Sequence, residues 1–140
     1  MPDFDYCLLV DDDDAMTFIV NKVLRRMGLK VETESALDGI EAIEKIERLG
    51  PPRLILLDLR MPRMDGFAFL HHCDRVGWDM LKVVVVTSSV LPEDHQEALG
   101  HALVVEVLEK PPTREDIERL LAQAPELREL FSDATACSAK

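Results

Sequence analysis

Apolar residues in this chain fall into short blocks of two kinds, and the two kinds alternate. The run Leu54, Ile55, Leu56 and Leu57 lacks polar alternation and suits a strand covered on both faces, and Leu81 to Thr87, almost wholly β-branched, is the most strand-like segment of the chain. Tyr6 to Val10 is a short run of the same sort, and residues 103–108, interrupted by Glu106, read as the last strand. Residues 30–34 alternate instead and read as a half-exposed edge strand. Between the runs, apolar positions recur at helical spacing. Ala15, Met16, Ile19, Val20, Val23, Leu24 and Met27 share one face, with Lys22, Arg25 and Arg26 mostly opposite. Asp13 or Asp14 caps that helix and Gly28 ends it. Ile40, Ile43, Ile46 and Leu49 mark a second helix, closed by Gly50 and stopped by Pro51 and Pro52. A third spans about 65–76 with Phe67, Phe69 and Leu70, and a short, mostly polar one covers 92–99. Thr113 caps a last helix that turns Ile117, Leu120, Leu121 and Ala124 inward. Pro125 breaks it and leaves Leu127, Leu130 and Phe131 to pack as an extra turn.

Five repeats of strand then helix with short connections imply a parallel sheet with right-handed crossovers and helices on both faces. The 140 residues make one α/β domain over 1–131, large enough for a core without metal or disulfide staples, followed by a flexible C-terminal tail over 132–140. Cys7, Cys73 and Cys137 are an odd number without paired spacing, which points to free thiols in a reducing compartment. The N-terminus is acidic where a signal peptide is basic, and no apolar run is long enough to span a bilayer, so the expected location is cytoplasmic with no membrane contact. Lys and Arg number 16 against 27 Asp and Glu. The resulting net charge of -11 repels nucleic-acid backbones, so no nucleic acid is expected as partner.

Charge also converges locally. Asp11 and Asp12 follow the first strand, Asp58 the central one, Thr87, Ser88 and Ser89 the fourth, and Glu109 and Lys110 the fifth. In a doubly wound sheet all of these meet in one crevice outside the carboxyl ends of the strands. Three carboxylates held close repel one another, and the usual remedy is a hard divalent cation with oxygen ligands, most simply Mg2+. Lys110 and Thr87 suit the oxygens of a phosphoryl group carried by one carboxylate. Asp58 is the acceptor candidate, because it stands alone on the central strand. Asp13 and Asp14 read as helix N-terminal charges. His71, His72 and Cys73 are consecutive on one helix and point different ways, which disfavours zinc, while His95 and His101 read as solvated.

Leu9-Val-Asp11-Asp12, Leu57-Asp58, Met61-Pro62 with Met64-Asp-Gly66, Val86-Thr87-Ser88 and Glu109-Lys110-Pro111 together resemble a response-regulator receiver domain of the CheY type, end to end. The flavodoxin/CheY-like strand order 2-1-3-4-5 comes with that resemblance. So does the expectation that Asp58 takes a phosphoryl group from a histidine kinase or phosphotransfer protein. The resemblance further implies that Asp11, Asp12, Asp58 and the backbone carbonyl of Arg60 bind Mg2+. It makes Thr87 the switch hydroxyl, pairs Lys110 with the phosphoryl group, and puts Pro111 after a cis peptide bond.

Three positions depart from, or modulate, the pattern. Many family members carry an aromatic residue three positions before the lysine, where this chain has Val107. Arg60 and Ser89, two residues beyond Asp58 and Thr87, flank the approach of the attacking water in the family and are expected to set the phosphoryl lifetime. The resulting expectation is a single-domain regulator, monomer or weak homodimer, whose phosphorylation switches binding to a separate protein, and which is not an enzyme on external substrates. Two readings compete. A phosphohydrolase of the haloacid dehalogenase kind needs an acid two residues after the nucleophile, where Arg60 stands. A phosphorylation-independent adaptor has no use for the complete acidic site.

Overall fold

The computed structural model describes residues 6–129 and 132–133 of the chain. Its centre is a five-stranded parallel sheet made of β1 (Cys7–Val10), β3 (Thr33–Ala36), β4 (Leu54–Leu57), β5 (Val83–Thr87) and β6 (Val104–Glu109). The spatial order is β3-β1-β4-β5-β6, which is 2-1-3-4-5 when the sheet strands are counted along the chain. A two-residue strand, β2 (Leu29–Lys30), stands apart and pairs antiparallel with β7 (Ser132–Asp133).

The strand alternation sorts side chains into two cores. Leu8, Val10, Ile55, Leu57, Val83 and Val85 face α2 (Gly39–Leu49), α3 (Gly66–Val76) and α4 (Pro92–Leu99), meeting Ala42, Ile46, Phe69, Leu70, Cys73 and Ala98. Their neighbours Cys7, Leu9, Leu54, Leu56, Val84 and Val86 face α1 (Ala15–Arg26) and α5 (Arg114–Gln123), against Met16, Val20, Leu24, Ile117, Leu120 and Leu121. Both faces of β1, β4 and β5 are therefore apolar, which is why these runs show no polar alternation.

Element ends follow local chemistry. Asp38 and Asp65 accept the Glu41 and Ala68 amides at 2.9 Å as N-caps, and Thr113 and Asp116 form a reciprocal capping box on α5. Gly77 ends α3 at φ 80, a left-handed conformation that favours glycine. Tyr6 is buried, and its hydroxyl donates to the Gly50 carbonyl at 2.5 Å, tying the start of β1 to the end of α2.

Four expectations need correcting. The edge strand is Thr33–Ala36, not 30–34, because pairing with β1 in the register Cys7↔Thr33 places Ala36 beside Val10 in the core. Residues 29 and 30 are taken up by Ser132–Asp133 instead, so the expected loose segment from 132 begins as a paired strand; its remainder lies outside the described residues. On α1 the side chain of Asp14 makes no capping bond. Asp13 Oδ1 accepts the Ala15 amide at 3.0 Å, and the break falls at Met27 with Gly28 at φ 77. The fifth strand starts one residue late, with a register shift that leaves Val105 outward and exposed opposite Val83 and Val84. After α5, Pro125–Glu129 forms a 3-10 turn with Leu127 buried, and Leu130 and Phe131 lie outside the described residues.

Cys7 and Cys73 are free and buried, and burial pushes both thiols up to about 12; Cys137 lies outside the described residues. Among the described residues no helix is long and apolar enough to cross a membrane.

Phe69 is wholly buried between α3 and the sheet. Phe69→Ala is expected to destabilise the fold by about 3–5 kcal/mol, seen as a lower urea midpoint at an unchanged slope. A loss under about 1 kcal/mol would mean that this core collapses to fill the cavity.

Candidate functional site

The ladder of the sheet runs one residue past the ends of β1, β4 and β6 and fixes the site from the backbone. The Asp11 amide donates to Ala36 O at 3.0 Å, the Asp58 amide to Val10 O at 2.9 Å, and the Lys110 amide to Thr87 O at 3.0 Å. The Asp11, Asp58 and Lys110 side chains thus leave from hydrogen-bonded positions, although each sits at the start of a loop.

Asp11 and Asp58 are buried and Asp12 is exposed, and one oxygen from each carboxylate lies within 4.8 Å of the others. Among the described residues this is the group of acidic, histidine or cysteine side chains that converges closely enough to hold a metal. Lys110 Nζ reaches in from the end of β6, donating to Asp58 Oδ2 at 3.0 Å and lying 2.7 Å from Asp11 Oδ2. Burial raises the Asp58 carboxyl above its ordinary value. The Lys110 hydrogen bond and charge pull it down, and the neighbouring Asp11 adds to the rise. For Lys110, burial disfavours the charge, yet the two carboxylates outweigh it and the ammonium is held above its usual range. One cation is shared by two buried anions, with a third at the rim. An all-oxygen set crowded in this way fits a hard divalent ion such as Mg2+ better than a thiophilic one.

The loop after Asp58 is pinned on both sides. A Cβ built on Gly66 would stand 2.5 Å from the Asp58 carbonyl oxygen, so only glycine lets α3 start this close to the acidic cluster. Arg63 adopts φ 64, and its Nε donates to Asp38 Oδ2 at 2.6 Å, while the Gly39 amide donates to Met64 O at 3.0 Å. Burial pushes the Asp38 carboxyl up, but the Glu41 amide and the Arg63 guanidinium together outweigh it and leave the group below the usual carboxylate range.

Thr87 is buried at the end of β5, and its hydroxyl accepts the Ser89 amide at 3.1 Å. The Lys110–Pro111 peptide bond is cis. Val107 is half-buried against the core shared with α2, α3 and α4. Arg60 and Ser89 converge on a residue that sequence reasoning missed. Arg60 Nη2 and Ser89 Oγ both donate at 2.7 Å to Oδ2 of Asp94 in the first turn of α4. The Ser89 and Arg60 bonds hold the Asp94 carboxyl below the ordinary value. The one sequence signal for Asp94 was an acid at a helix start, which electrostatics with the helix dipole explains equally well.

The histidines are not simply solvated. His95 Nε2 lies 2.8 Å from Ser89 O, and His101 accepts the Leu103 amide on Nδ1 at 3.1 Å while its Nε2 lies 3.0 Å from Asp74. His72 meets Trp78 edge-on at 5.6 Å, His71 is exposed and Cys73 is buried, so the three consecutive residues share no site.

A doubly wound sheet that gathers three carboxylates, a lysine and a buried hydroxyl at its carboxyl edge defines a receiver-type signalling domain. The response regulator receiver domain family matches residues 7–122, and the chain belongs to that family. It is 41% identical over 107 residues to protein-glutamate methylesterase/protein-glutamine glutaminase 1 of Anaeromyxobacter dehalogenans (strain 2CP-C), covering 74% of this chain and 29% of that protein. It is 31% identical over 125 residues to the probable methanogenesis regulatory protein FilR2 of Methanothrix harundinacea (strain 6Ac), covering 85% of this chain and 80% of the relative. Among solved structures, a two component response regulator from Cytophaga hutchinsonii superposes with a TM-score of 0.75 at 27% identity, over 88% of this chain and 98% of that one. The chain spans under a third of the methylesterase relative's length. The expected fold and strand order are those observed.

The depressed Asp38 carboxyl contributes stability that is present above the unfolded aspartate value of about 3.9 and is lost as pH falls through the lower native value. Asp38→Asn is therefore expected to be less stable than wild type at pH 7, with the gap closing below about pH 4. Urea unfolding across a pH series measures this. A gap that persists at the acid end would assign the effect to shape and not charge.

Proposed function

We propose that this chain is the phosphoacceptor switch of a two-component pathway. In this reading Asp58 accepts a phosphoryl group from a phosphohistidine on a histidine kinase or phosphotransfer protein, and the loaded form changes its binding to a separate protein. The observation that carries it is the Lys110 ammonium bridging Asp58 and Asp11 inside the carboxylate trio. An Asp58 oxygen forms the new P–O bond as the P–N bond to the donor imidazole breaks, and the imidazole keeps the electron pair. Beyond positioning, such a transfer asks the protein mainly to neutralise charge. Asp11, Asp12, Asp58 and the backbone carbonyl of Arg60 would hold Mg2+, which when bound neutralises phosphoryl charge next to three carboxylates that otherwise repel the incoming group.

The chain's own residues do the rest. Lys110 leaves the bare carboxylate pair to hold a phosphoryl oxygen. Thr87, freed from the Ser89 amide, donates its hydroxyl to another. The Asp58 carboxylate attacks in its ionised form, which Lys110 favours and burial opposes. The position two residues after Asp58, where a haloacid dehalogenase carries its second acid, holds Arg60, whose guanidinium is engaged with Asp94. In the same reading the protein acts in the cytoplasm as a monomer or weak homodimer, and its only chemistry is on its own aspartate.

Intact mass after incubation with Mg2+ and acetyl phosphate tests this reading. A single phosphoryl adduct, stable in acid and labile in alkali, is expected on wild type and absent from Asp58→Asn. Turnover of external phosphoesters that survives Asp58→Asn, or an adduct that persists in that variant, would overturn it.

A further inference from the structure

One oxygen of Asp94 joins three segments around the acidic cluster. Arg60 lies two residues past Asp58, Ser89 two past Thr87, and Asp94 in the first turn of α4; all three meet at Asp94 Oδ2, with both donors at 2.7 Å. The Asp94 side chain is only 11% exposed, whereas its arginine partner is 59% exposed. The exposed guanidinium can turn to another acceptor, but its departure leaves a nearly buried carboxylate under-compensated, so the contact holds until a stronger acceptor competes for Arg60.

Both donors are open to competition from the same event. A phosphoryl group on Asp58 offers Arg60 a stronger, two-oxygen acceptor close to its own backbone. The Thr87 hydroxyl at present accepts the Ser89 amide, so turning that hydroxyl toward Asp58 removes the partner that fixes Ser89. Ser89 in turn organises the entry to α4, accepting the Leu91 amide on Oγ at 3.3 Å and facing His95 with its carbonyl at 2.8 Å.

We propose that Asp94 is the latch of the switch, holding Arg60 and Ser89 while Asp58 is bare and releasing them, with the start of α4, when Asp58 is loaded. The proposal rests on Asp58 being the phosphoacceptor. Asp94 touches neither the phosphodonor nor the phosphoryl group and acts as a positioning residue. The route runs from Asp58 through its own loop to α4, and so needs no aromatic side chain at Val107.

Beryllofluoride with Mg2+, a phosphoryl mimic, provides the test on the whole chain, with affinity followed by fluorine NMR and the amides of residues 93–96 by hydrogen exchange. Asp94→Asn keeps the shape and an acceptor for Ser89 but removes the charge that holds Arg60. It is expected to bind the mimic roughly five- to tenfold tighter, and its amides in the free state to exchange as they do in loaded wild type. With Arg60→Ala as background, the effect of Asp94→Asn should shrink below about twofold, because the contact it breaks is already gone. Asp94→Glu, which keeps the charge, should stay within about twofold of wild type, whereas a general disturbance of α4 moves both variants together. An Asp94→Asn affinity equal to wild type, or the same gain with and without Arg60, overturns the latch. Wild type that fails to bind the mimic, or binds it equally after Asp58→Asn, overturns the acceptor reading beneath it.

Discussion

The structure turns on one ammonium placed between two buried carboxylates. Asp11 and Asp58 are each more than nine-tenths buried at the sheet edge, where a bare anion is expensive and two anions side by side are worse. Lys110, 2.7 Å and 3.0 Å from them, makes the arrangement tolerable without making it comfortable, since the Asp58 carboxyl still sits above its ordinary value. The sheet order follows from this need. β1, β4 and β6 must end at the same level for three residues far apart in the chain to share one charge, and parallel pairing in the order β3-β1-β4-β5-β6 achieves it. The ladder bonds at Asp11, Asp58 and Lys110 keep that level fixed.

The fold was legible wherever burial on both faces forced a continuous apolar run. Leu54–Leu57 and Val83–Thr87 are such runs, and each proved to be a strand flanked by both cores. Residues 30–34 misled for the opposite reason. An edge strand buries little, so its alternation is weak, and its frame was set by Ala36 fitting beside Val10 and not by its own pattern. The one-residue shift in β6 has the same origin, because the irregular pairing at Val83 and Val84 is a property of two strands together.

The acidic cluster could be read from sequence because parallel strands all deliver their last residues to one edge. The Arg60–Asp94–Ser89 contact could not. It joins residues separated by 34 and 5 positions across a loop and a helix whose apolar stripe is faint, and side-chain direction in loops leaves no periodic trace. The same limit explains His95 and His101, whose partners are a loop carbonyl and an aspartate on another helix.

α4 buries only Asp94 and Ala98, whereas α1 and α3 each bury three apolar side chains or more. The apolar part of this anchorage is a single methyl group, that of Ala98. Carrying a two-state equilibrium from one extreme to the other takes roughly 5.5 kcal/mol, and a stripe of leucines would add a comparable resistance before any signal arrived. In the proposed switch, thin anchorage matches the stiffness of α4 to the strength of the signal that reaches it. It also means that the sensitivity of this domain can drift by a methylene at Ala98 while its chemistry at the sheet edge stays untouched.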